Sequence, residues 1–198
     1  GVLFPGDKII VPRHTHKSVI AGLIMSGALP VYIHPEINQE WGLILNVSPE
    51  SVEKAMEKTP GARAVFVSSP TYHGICCDLE KIVKIAHLND RVVMVDQAHG
   101  PHFLFHPSLP TSAMEAGADI CVESTHKIIS GMTQASMLHV KGPNIDIRDL
   151  EEVLLLTQST SPSYILMASL DLARRQMALH GRRLLDRSLM QVHDRDRE

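Results

Sequence analysis

The stretch RVVMVDQAHGPHFLFHPSLPTSAMEAGADICVESTHK, residues 91–127, contains two short apolar runs that each end in polar residues. The first run stops abruptly at Asp96, and the second leads through Glu123 and Ser124 to Lys127. Short apolar runs rich in β-branched residues are typical of strands that are covered on both faces of a parallel sheet. We therefore predict two parallel strands whose carboxyl ends bring Asp96 and Lys127 to one edge of the sheet.

Similar apolar runs alternate with amphipathic segments along the rest of the chain. The predicted strands cover residues 8–12, 29–34, 62–69, 91–96, 118–124 and 135–142. The predicted helices cover residues 16–27, 48–59, 78–90, 112–117, 146–158 and 163–191, with Ser48 and Asp78 as N-terminal caps and Gly27 at a C-terminus. This alternation indicates a three-layer α/β/α fold with a mostly parallel sheet. We expect one domain over residues 1–198, with a sheet core over about 1–160 and a helical segment over 161–198.

The composition argues against several classes of protein. A net charge of −3 is not that of a nucleic-acid-binding protein, and no apolar stretch is long enough to span a bilayer. The three cysteines do not make a disulfide framework and fit a reducing compartment. We expect a cytoplasmic protein, although a targeting segment could precede Gly1, because the sequence does not start with Met.

Four polar segments follow the predicted strands. They are RHTH at 13–16, SSPTYHG at 68–74, DQAHGPH at 96–102 and STHK at 124–127. In open parallel sheets, ligands bind beyond the carboxyl ends of the strands. We therefore expect these four segments to converge on one site.

Asp96 and Lys127 at one sheet edge fit the requirements of pyridoxal phosphate (PLP). The cofactor's aldehyde requires a lysine amine, and its pyridine nitrogen requires an acid that stabilises the positive charge. Hydroxyl and backbone N–H groups near the lysine would hold the phosphate. Each residue alone also has a simpler interpretation, because a strand-end aspartate is often structural and a loop lysine is usually solvated.

Longer motifs resemble a known family. The chain from Pro5 to about Arg174 is similar to the Orn/Lys/Arg decarboxylase family of fold type I PLP enzymes, through the segments at 11–36, 68–82, 95–142 and 159–174. The resemblance implies decarboxylation of a basic amino acid to an amine and CO2, a lyase reaction of polyamine biosynthesis. Arginine is the first candidate substrate, because SSPTYHGI and STSPSYILMASLD look most like the short arginine-type members. Lysine and ornithine remain open.

The resemblance also implies roles for individual residues. Lys127 in STHK would form the Schiff base with the cofactor, Asp96 in VDQAHG would pair with the pyridine nitrogen, and His16 in RHTHKS would stack on the ring.

Further roles carried over by the resemblance concern the phosphate and the substrate. Ser124 and His126 would contact the phosphate and the substrate region, with His126 also a candidate for proton transfer. His99 would lie near the ring and the substrate carboxylate and is the other candidate for proton transfer. Ser159 in QSTSP would reach the phosphate of a neighbouring subunit, which implies a homodimer or a higher homo-oligomer.

The sequence departs from the family pattern in three places. Gln97 stands where the family usually has Glu, and we expect this change to shift the local field without removing the main charge pair. The family's phosphate-binding loop and its C-terminal domain are not found in these residues. The resemblance therefore implies a large-domain fragment that is incomplete at both ends.

The sequence also allows interpretations other than a decarboxylase site. His99, His102 and His106 form an H-x2-H-x3-H pattern, but two prolines interrupt the loop and no cysteine is nearby, so we expect no metal site. Tyr72 and His73 either approach the substrate or pack within their loop. The same fold could also support an aminotransferase or aldolase reaction, or serve as a non-catalytic dimerisation module.

Overall fold

The computed structural model describes residues 2–195, with side chains described for residues 2–192. In that range the strands are β1 Lys8–Pro12, β2 Leu29–Ile33, β3 Ile37–Asn38, β4 Leu43–Ile44, β5 Ala62–Ser68, β6 Val92–Asp96, β7 Ile120–Glu123 and β8 Met137–Val140. The α-helices are α1 Lys17–Ser26, α2 Pro49–Lys58, α3 Leu79–Leu88, α4 Thr125–Ile128, α5 Ile147–Thr157 and α6 Tyr164–Arg195. All six predicted strands and five of the six predicted helices are confirmed.

The main sheet has the strand order β2–β1–β5–β6–β7–β8. Neighbouring strands from β2 to β7 are parallel, and β8 pairs antiparallel with β7 at the edge. The register pairs Asp96 at the end of β6 with Ser68 of β5 and with Val122 of β7. The predicted mostly parallel sheet is therefore confirmed, and the ends of its central strands lie side by side.

Successive residues of β1 are buried on opposite faces of the sheet. Val11 of β1 belongs to a buried cluster that includes Leu23 of α1. Its neighbour Ile10 belongs to a second buried cluster, which includes Val52 of α2 and Ile82 of α3. Because successive strand residues point to opposite faces, helices cover the sheet on both sides. The predicted three-layer α/β/α arrangement is confirmed.

The helix ends follow local signals in the sequence. The Ser48 hydroxyl accepts a hydrogen bond from the Ser51 backbone N–H at 3.3 Å, and Asp78 Oδ1 accepts one from the Lys81 N–H at 3.1 Å. Gly27 ends α1 in the left-handed conformation, with φ +68°. The two side-chain caps satisfy backbone N–H groups that the helix itself leaves unpaired, and the left-handed conformation of Gly27 lets the chain turn away from α1.

The helix predicted at 112–117 is wrong, because the structure has a single turn there. The Ala116 N–H donates to the Ser112 carbonyl at 2.9 Å, but Gly117 then takes a φ of +93°. That left-handed residue turns the chain toward β7 after one helical hydrogen bond. The hairpin β3–β4, the short helix α4 and a 3₁₀ turn at Phe103–Phe105 were not predicted, because each is too short to show a periodic pattern.

The long helix α6 contacts the loops that follow β6 and β7. His106 Nε2 lies 2.9 Å from Asp186 Oδ1, and the Ser130 hydroxyl donates to Gln176 Oε1 at 2.6 Å. The last part of the predicted 161–198 segment, residues 196–198, lies outside the described residues. None of the helices found between residues 2 and 195 combines the length and the apolar character that crossing a bilayer requires.

Candidate active site

A cavity of about 570 Å³ opens at the carboxyl edge of the sheet. Residues from all four predicted polar segments line it: His14, His16, Ser68, Pro70, Thr71, Tyr72, Asp96, Ala98, His99, Ser124 and Lys127, together with Ser18 and Val122. The strand ends converge as expected, because parallel neighbours in level register finish at the same edge. A larger cavity of about 730 Å³ lies around Arg63, His87 and Arg91, and no lysine is among the described residues that line it.

Lys127 is the amine of the cavity. It lies on α4, and its backbone N–H donates to the Ser124 carbonyl at 3.0 Å. Its side-chain Nζ lies 3.4 Å from Nε2 of His99, which comes from the loop after β6. The short helix therefore presents the amine next to a group that can exchange a proton with it.

Asp96 is the carboxylate at the end of β6. Its Oδ1 accepts a hydrogen bond from the Ala98 N–H at 3.0 Å, and its backbone carbonyl accepts one from the Ser69 N–H at 3.0 Å. These contacts hold the strand end against β5 and leave the other carboxylate oxygen without a hydrogen-bond donor among the described residues. A bound group with a positively charged nitrogen would complete it.

His99 lies within the electrostatic reach of three charged or titratable side chains. Burial lowers the pKa of His99 below 6.5, the positive charge of Lys127 and then His16 lower it further, and the negative charge of Asp96 partly offsets these effects. Because a lowered pKa keeps imidazole neutral, His99 can accept a proton near neutral pH.

His16 lies at the start of α1, where its side chain caps the helix. Nδ1 accepts a hydrogen bond from the Ser18 backbone N–H at 3.2 Å and lies 2.8 Å from the Ser18 hydroxyl. This bond restrains the imidazole at the cavity wall.

Two predicted site residues lie outside the cavity lining. His126 faces the following loop, where Nδ1 lies 2.7 Å from the Ala135 carbonyl oxygen. Ser159 lies in the exposed turn between α5 and α6, where its hydroxyl accepts from the Ser161 N–H at 3.1 Å. Their roles stay predictions.

The structure adds two polar residues that sequence reasoning did not single out. His14 and Ser68 line the cavity, and the ring nitrogens of His14 and the hydroxyl of Ser68 are buried without a partner among the described residues. Burial also lowers the pKa of His14. Both residues lie in the strand-end segments, so position after a strand was the available signal, but it does not tell which side chain is left unpaired.

The histidines of the H-x2-H-x3-H pattern have different surroundings. His99 lines the cavity, the His102 ring packs against Phe103 at a centroid distance of 4.8 Å, and His106 pairs with Asp186. Among residues 2–192, no group of three His, Cys, Asp or Glu side chains is arranged to hold a metal ion.

The donor set of the cavity fits a PLP molecule. One amine, one carboxylate and imidazoles line a single opening, with the Ser68 hydroxyl buried at its wall, and the amine, the carboxylate and the hydroxyl would each suit a group that the cofactor carries. The amine suits an aldehyde, the carboxylate a pyridinium nitrogen, and hydroxyls a phosphate. The sheet order and the site at its carboxyl edge define the large domain of fold type I PLP enzymes.

Within that class, the chain belongs to the Orn/Lys/Arg decarboxylase family. Residues 1–197 match the family's major domain. The chain is 45% identical over 193 residues to an arginine decarboxylase from Bacillus cereus, covering 97% of this chain and 42% of that protein. The chain thus spans about two fifths of the length of the curated relatives that it matches.

Solved structures agree with the family and the fold. Lysine decarboxylase A from Pseudomonas aeruginosa superposes with a TM-score of 0.77 at 29% identity, covering 88% of this chain and 26% of that chain. A mutant aspartate aminotransferase from Thermus thermophilus superposes with a TM-score of 0.67 at 21% identity, covering 94% of this chain and 52% of that chain. The second likeness concerns the fold alone.

Proposed function

We propose that the protein containing this chain is a PLP-dependent decarboxylase of a basic amino acid. The observation that carries the proposal is the convergence of Lys127, His99, Asp96 and His16 on one cavity. Arginine is the first candidate substrate, because relatives at 44–45% identity are named arginine decarboxylases. Lysine is the second, because a 32% identical relative from Pseudomonas aeruginosa is a lysine decarboxylase.

Lys127 and Asp96 would hold the two reactive ends of the cofactor. When bound, PLP supplies an electron sink for the electron pair that remains as CO2 leaves. Lys127 would bind its aldehyde covalently through Nζ. The negative charge of Asp96 would favour a proton on the ring nitrogen by direct Coulomb attraction.

His99 would manage the proton of the Lys127 amine. An amine must lose its proton before it can act as a nucleophile, and a neutral imidazole 3.4 Å away can accept that proton. The lowered pKa of His99 keeps the imidazole neutral at pH 7. At a pH below its lowered pKa, His99 would itself carry a proton. Two positive charges would then lie side by side, and His99 could not accept the proton of Lys127.

The remaining predicted residues would bind and orient the ligands. His16, held by its bond to Ser18, would stack on the ring, and Ser124 would contact the phosphate. His126 would support the segment around Lys127 through its contact with Ala135 and remains a candidate for proton transfer. Ser159 would complete the phosphate site of a neighbouring subunit.

The proposal extends to assembly and location. A homodimer would bring the exposed Ser159 turn to a partner's cavity. The three cysteines Cys76, Cys77 and Cys121 are unpaired, which supports a reducing compartment such as the cytoplasm. The amine product would place the reaction in polyamine synthesis.

Lys127→Ala in the full-length protein tests the proposal. We expect the wild type to release CO2 from at least one of arginine, lysine and ornithine, and the variant to lose at least about a thousandfold in rate. Borohydride should trap PLP on a peptide containing Lys127, as read by mass spectrometry. Lys84→Ala, which removes an exposed lysine of α3, is the control and should keep both properties. Normal turnover in Lys127→Ala, or a keto acid or aldehyde product instead of CO2, would contradict the proposal.

A further inference from the structure

Gln97 is a buried amide between two residues that line the cavity, Asp96 and Ala98, and its oxygen and both of its N–H groups are hydrogen-bonded. Its side chain is 1% exposed. Oε1 accepts from the Ala113 backbone N–H at 2.6 Å, and Nε2 donates to the Gly100 carbonyl at 3.2 Å and to Glu123 Oε1 at 2.7 Å. The Gly100 backbone also lies tightly against this side chain, because a Cβ added at Gly100 would be 2.7 Å from Gln97 Cγ.

Glu123 continues the hydrogen-bonded chain to the edge strand. Its other carboxylate oxygen, Oε2, lies 3.1 Å from Nε2 of His139 on β8. This hydrogen bond to Glu123 raises the pKa of His139, and burial only partly opposes it. The network therefore runs from Ala113 through Gln97 and Glu123 to His139 and ties together the segments after β6 and β7.

The chemistry of the network requires an amide at position 97 next to the carboxylate of Glu123. An amide offers an acceptor oxygen and two N–H donors, which matches the three partners of Gln97. A carboxylate at position 97 would have no donor, and a neutral carboxylic acid would have one. Either form would leave a buried acceptor unpaired, and the ionised form would also repel Glu123.

The network holds the segments that carry the proposed site residues. Gln97 follows Asp96 directly, and its side-chain bond to Gly100 closes the loop that carries His99. Glu123 ends β7 and comes just before the segment that carries Lys127. We propose that Gln97 and Glu123 form a positioning pair, whose amide-to-carboxylate hydrogen bond fixes Asp96 and His99 relative to Lys127. This inference rests on the proposed function for its effect on cofactor binding.

Gln97→Glu in the full-length protein tests the pair through pH. The introduced carboxyl, beside Glu123, should hold a proton above the usual glutamate pKa of about 4.3. Since its pKa is raised in the folded state, its contribution to stability is present at low pH and lost as pH rises through that raised value. The titratable groups that interact with the charge of Glu123 are His139 on β8, His102 after β6 and Cys121 on β7, and the charge of Asp96 on β6 also acts on Cys121.

The melting temperature and the PLP affinity of the variant are measured between pH 5.5 and 8.5. This range starts about one unit above the usual glutamate pKa, where an exposed glutamate is already ionised. We expect its melting temperature without cofactor to approach that of the wild type at the low end and to fall below it as pH rises. Relative to the wild type, we expect its PLP affinity to weaken by about ten- to a hundredfold over the same range. Gln39→Glu, the same substitution in the exposed turn between β3 and β4, is the control and should follow the wild type in both measurements.

The double variant Gln97→Glu/Glu123→Gln separates positioning from general damage. In the double variant, one carboxylate again faces one amide, so we expect the new pH dependence to disappear. Because the bond to the Gly100 carbonyl is still missing, we expect the melting temperature and the PLP affinity to recover only in part. The proposal is overturned if Gln97→Glu follows the wild type at every pH, or if the double variant is no better than the single one. If the single variant is insoluble at high pH, a soluble double variant supports the proposal and an equally insoluble one overturns it.

The two proposals fail in different ways. A wild type that neither binds PLP nor decarboxylates would refute the proposed function, and the melting temperatures would still decide whether Gln97 and Glu123 act as a pair. A functional wild type with a pH-independent Gln97→Glu variant would refute only the pair.

Discussion

The histidines that follow β6 have one chemistry and several environments. His99 lines the cavity within reach of the charges of Lys127 and Asp96, and its lowered pKa suits a neutral proton acceptor. Burial lowers the pKa of His102, whose ring packs on an aromatic side chain, and His106 joins a loop to α6 through Asp186. The surroundings of each ring therefore decide its role, not its place in a motif.

His139→Gln gives a prediction at the same scale. The pKa of His139 is raised by Glu123, so the bond between them contributes stability below pH 6.5 that is lost as pH rises through the raised pKa. We expect the melting temperature of the full-length variant to fall below that of the wild type at pH 6 and to approach it at pH 9. Because the His139 side chain is 37% exposed, screening limits the effect to less than about 1 kcal/mol, or a few degrees.

The control for this pH effect is His180→Gln, which removes an exposed imidazole of α6. It should show no comparable change between the two pH values. A gap for His139→Gln that stays constant with pH would mean that the charge of His139 does not stabilise the fold.

At the scale of elements, the three neighbouring strands β5, β6 and β7 position the residues of the site. Their register aligns Ser68, Asp96 and Val122 across three neighbouring strands. The helices α2 and α3 cover one face of this sheet with buried residues such as Val52 and Ile82. Backbone hydrogen bonds join the three strands and an apolar core packs against them, so the polar segments after the strands meet in one place.

Ser48→Ala tests whether helix stability and site chemistry are separable. Loss of the N-terminal cap of α2 should lower the free energy of unfolding of the full-length protein by about 1 kcal/mol, and Ser48→Asp should restore most of it. Denaturant titration with an unchanged slope would measure this cost. Because α2 does not line the cavity, PLP affinity should stay the same in both variants. A parallel fall in affinity would show that α2 also positions the site.

At the scale of the whole molecule, α5 and α6 expose a large apolar surface. None of the described residues of α5 is buried, and Leu155 and Leu156 are 74% and 86% exposed. Ile165 at the start of α6 is 70% exposed. The turn that contains Ser159 joins these two helices. A second subunit that packs on this apolar surface would therefore also contact Ser159, as the proposed dimer requires.

Hybrid dimers test the shared site. Lys127→Ala and Ser159→Asp should each be nearly inactive in the full-length protein, the second because its charge repels a phosphate. If one subunit supplies Lys127 and the other Ser159 to each site, a mixed dimer contains one fully wild-type site. Random reassociation of equal amounts should then recover up to about a quarter of wild-type activity. Recovery confined to background would contradict a site built from two subunits, provided that mixed dimers are detected by tag pull-down.

The sequence by itself determined the six strands of the main sheet, the longer helices and the sheet edge where the polar segments meet. Apolar runs, the caps at Ser48 and Asp78 and the glycine after α1 are local signals, and they predicted the strands and most helices. The helix predicted at 112–117 failed because Gly117 takes a positive φ there and turns the chain toward β7. Family motifs strengthened the predicted roles of Lys127 and Asp96, which spacing alone supports only weakly.

Only the tertiary structure decided which side chains meet. Residues far apart in sequence, such as Gln97 and Ala113 or Glu123 and His139, form hydrogen bonds that no local pattern indicates. The same holds for the Ser68 hydroxyl, which has no partner among the residues that the structure describes, and for the direction of His126 away from the cavity lining. Local sequence sets backbone preferences over a few residues, whereas these contacts depend on strand register and on the packing of distant loops, which only the complete fold specifies.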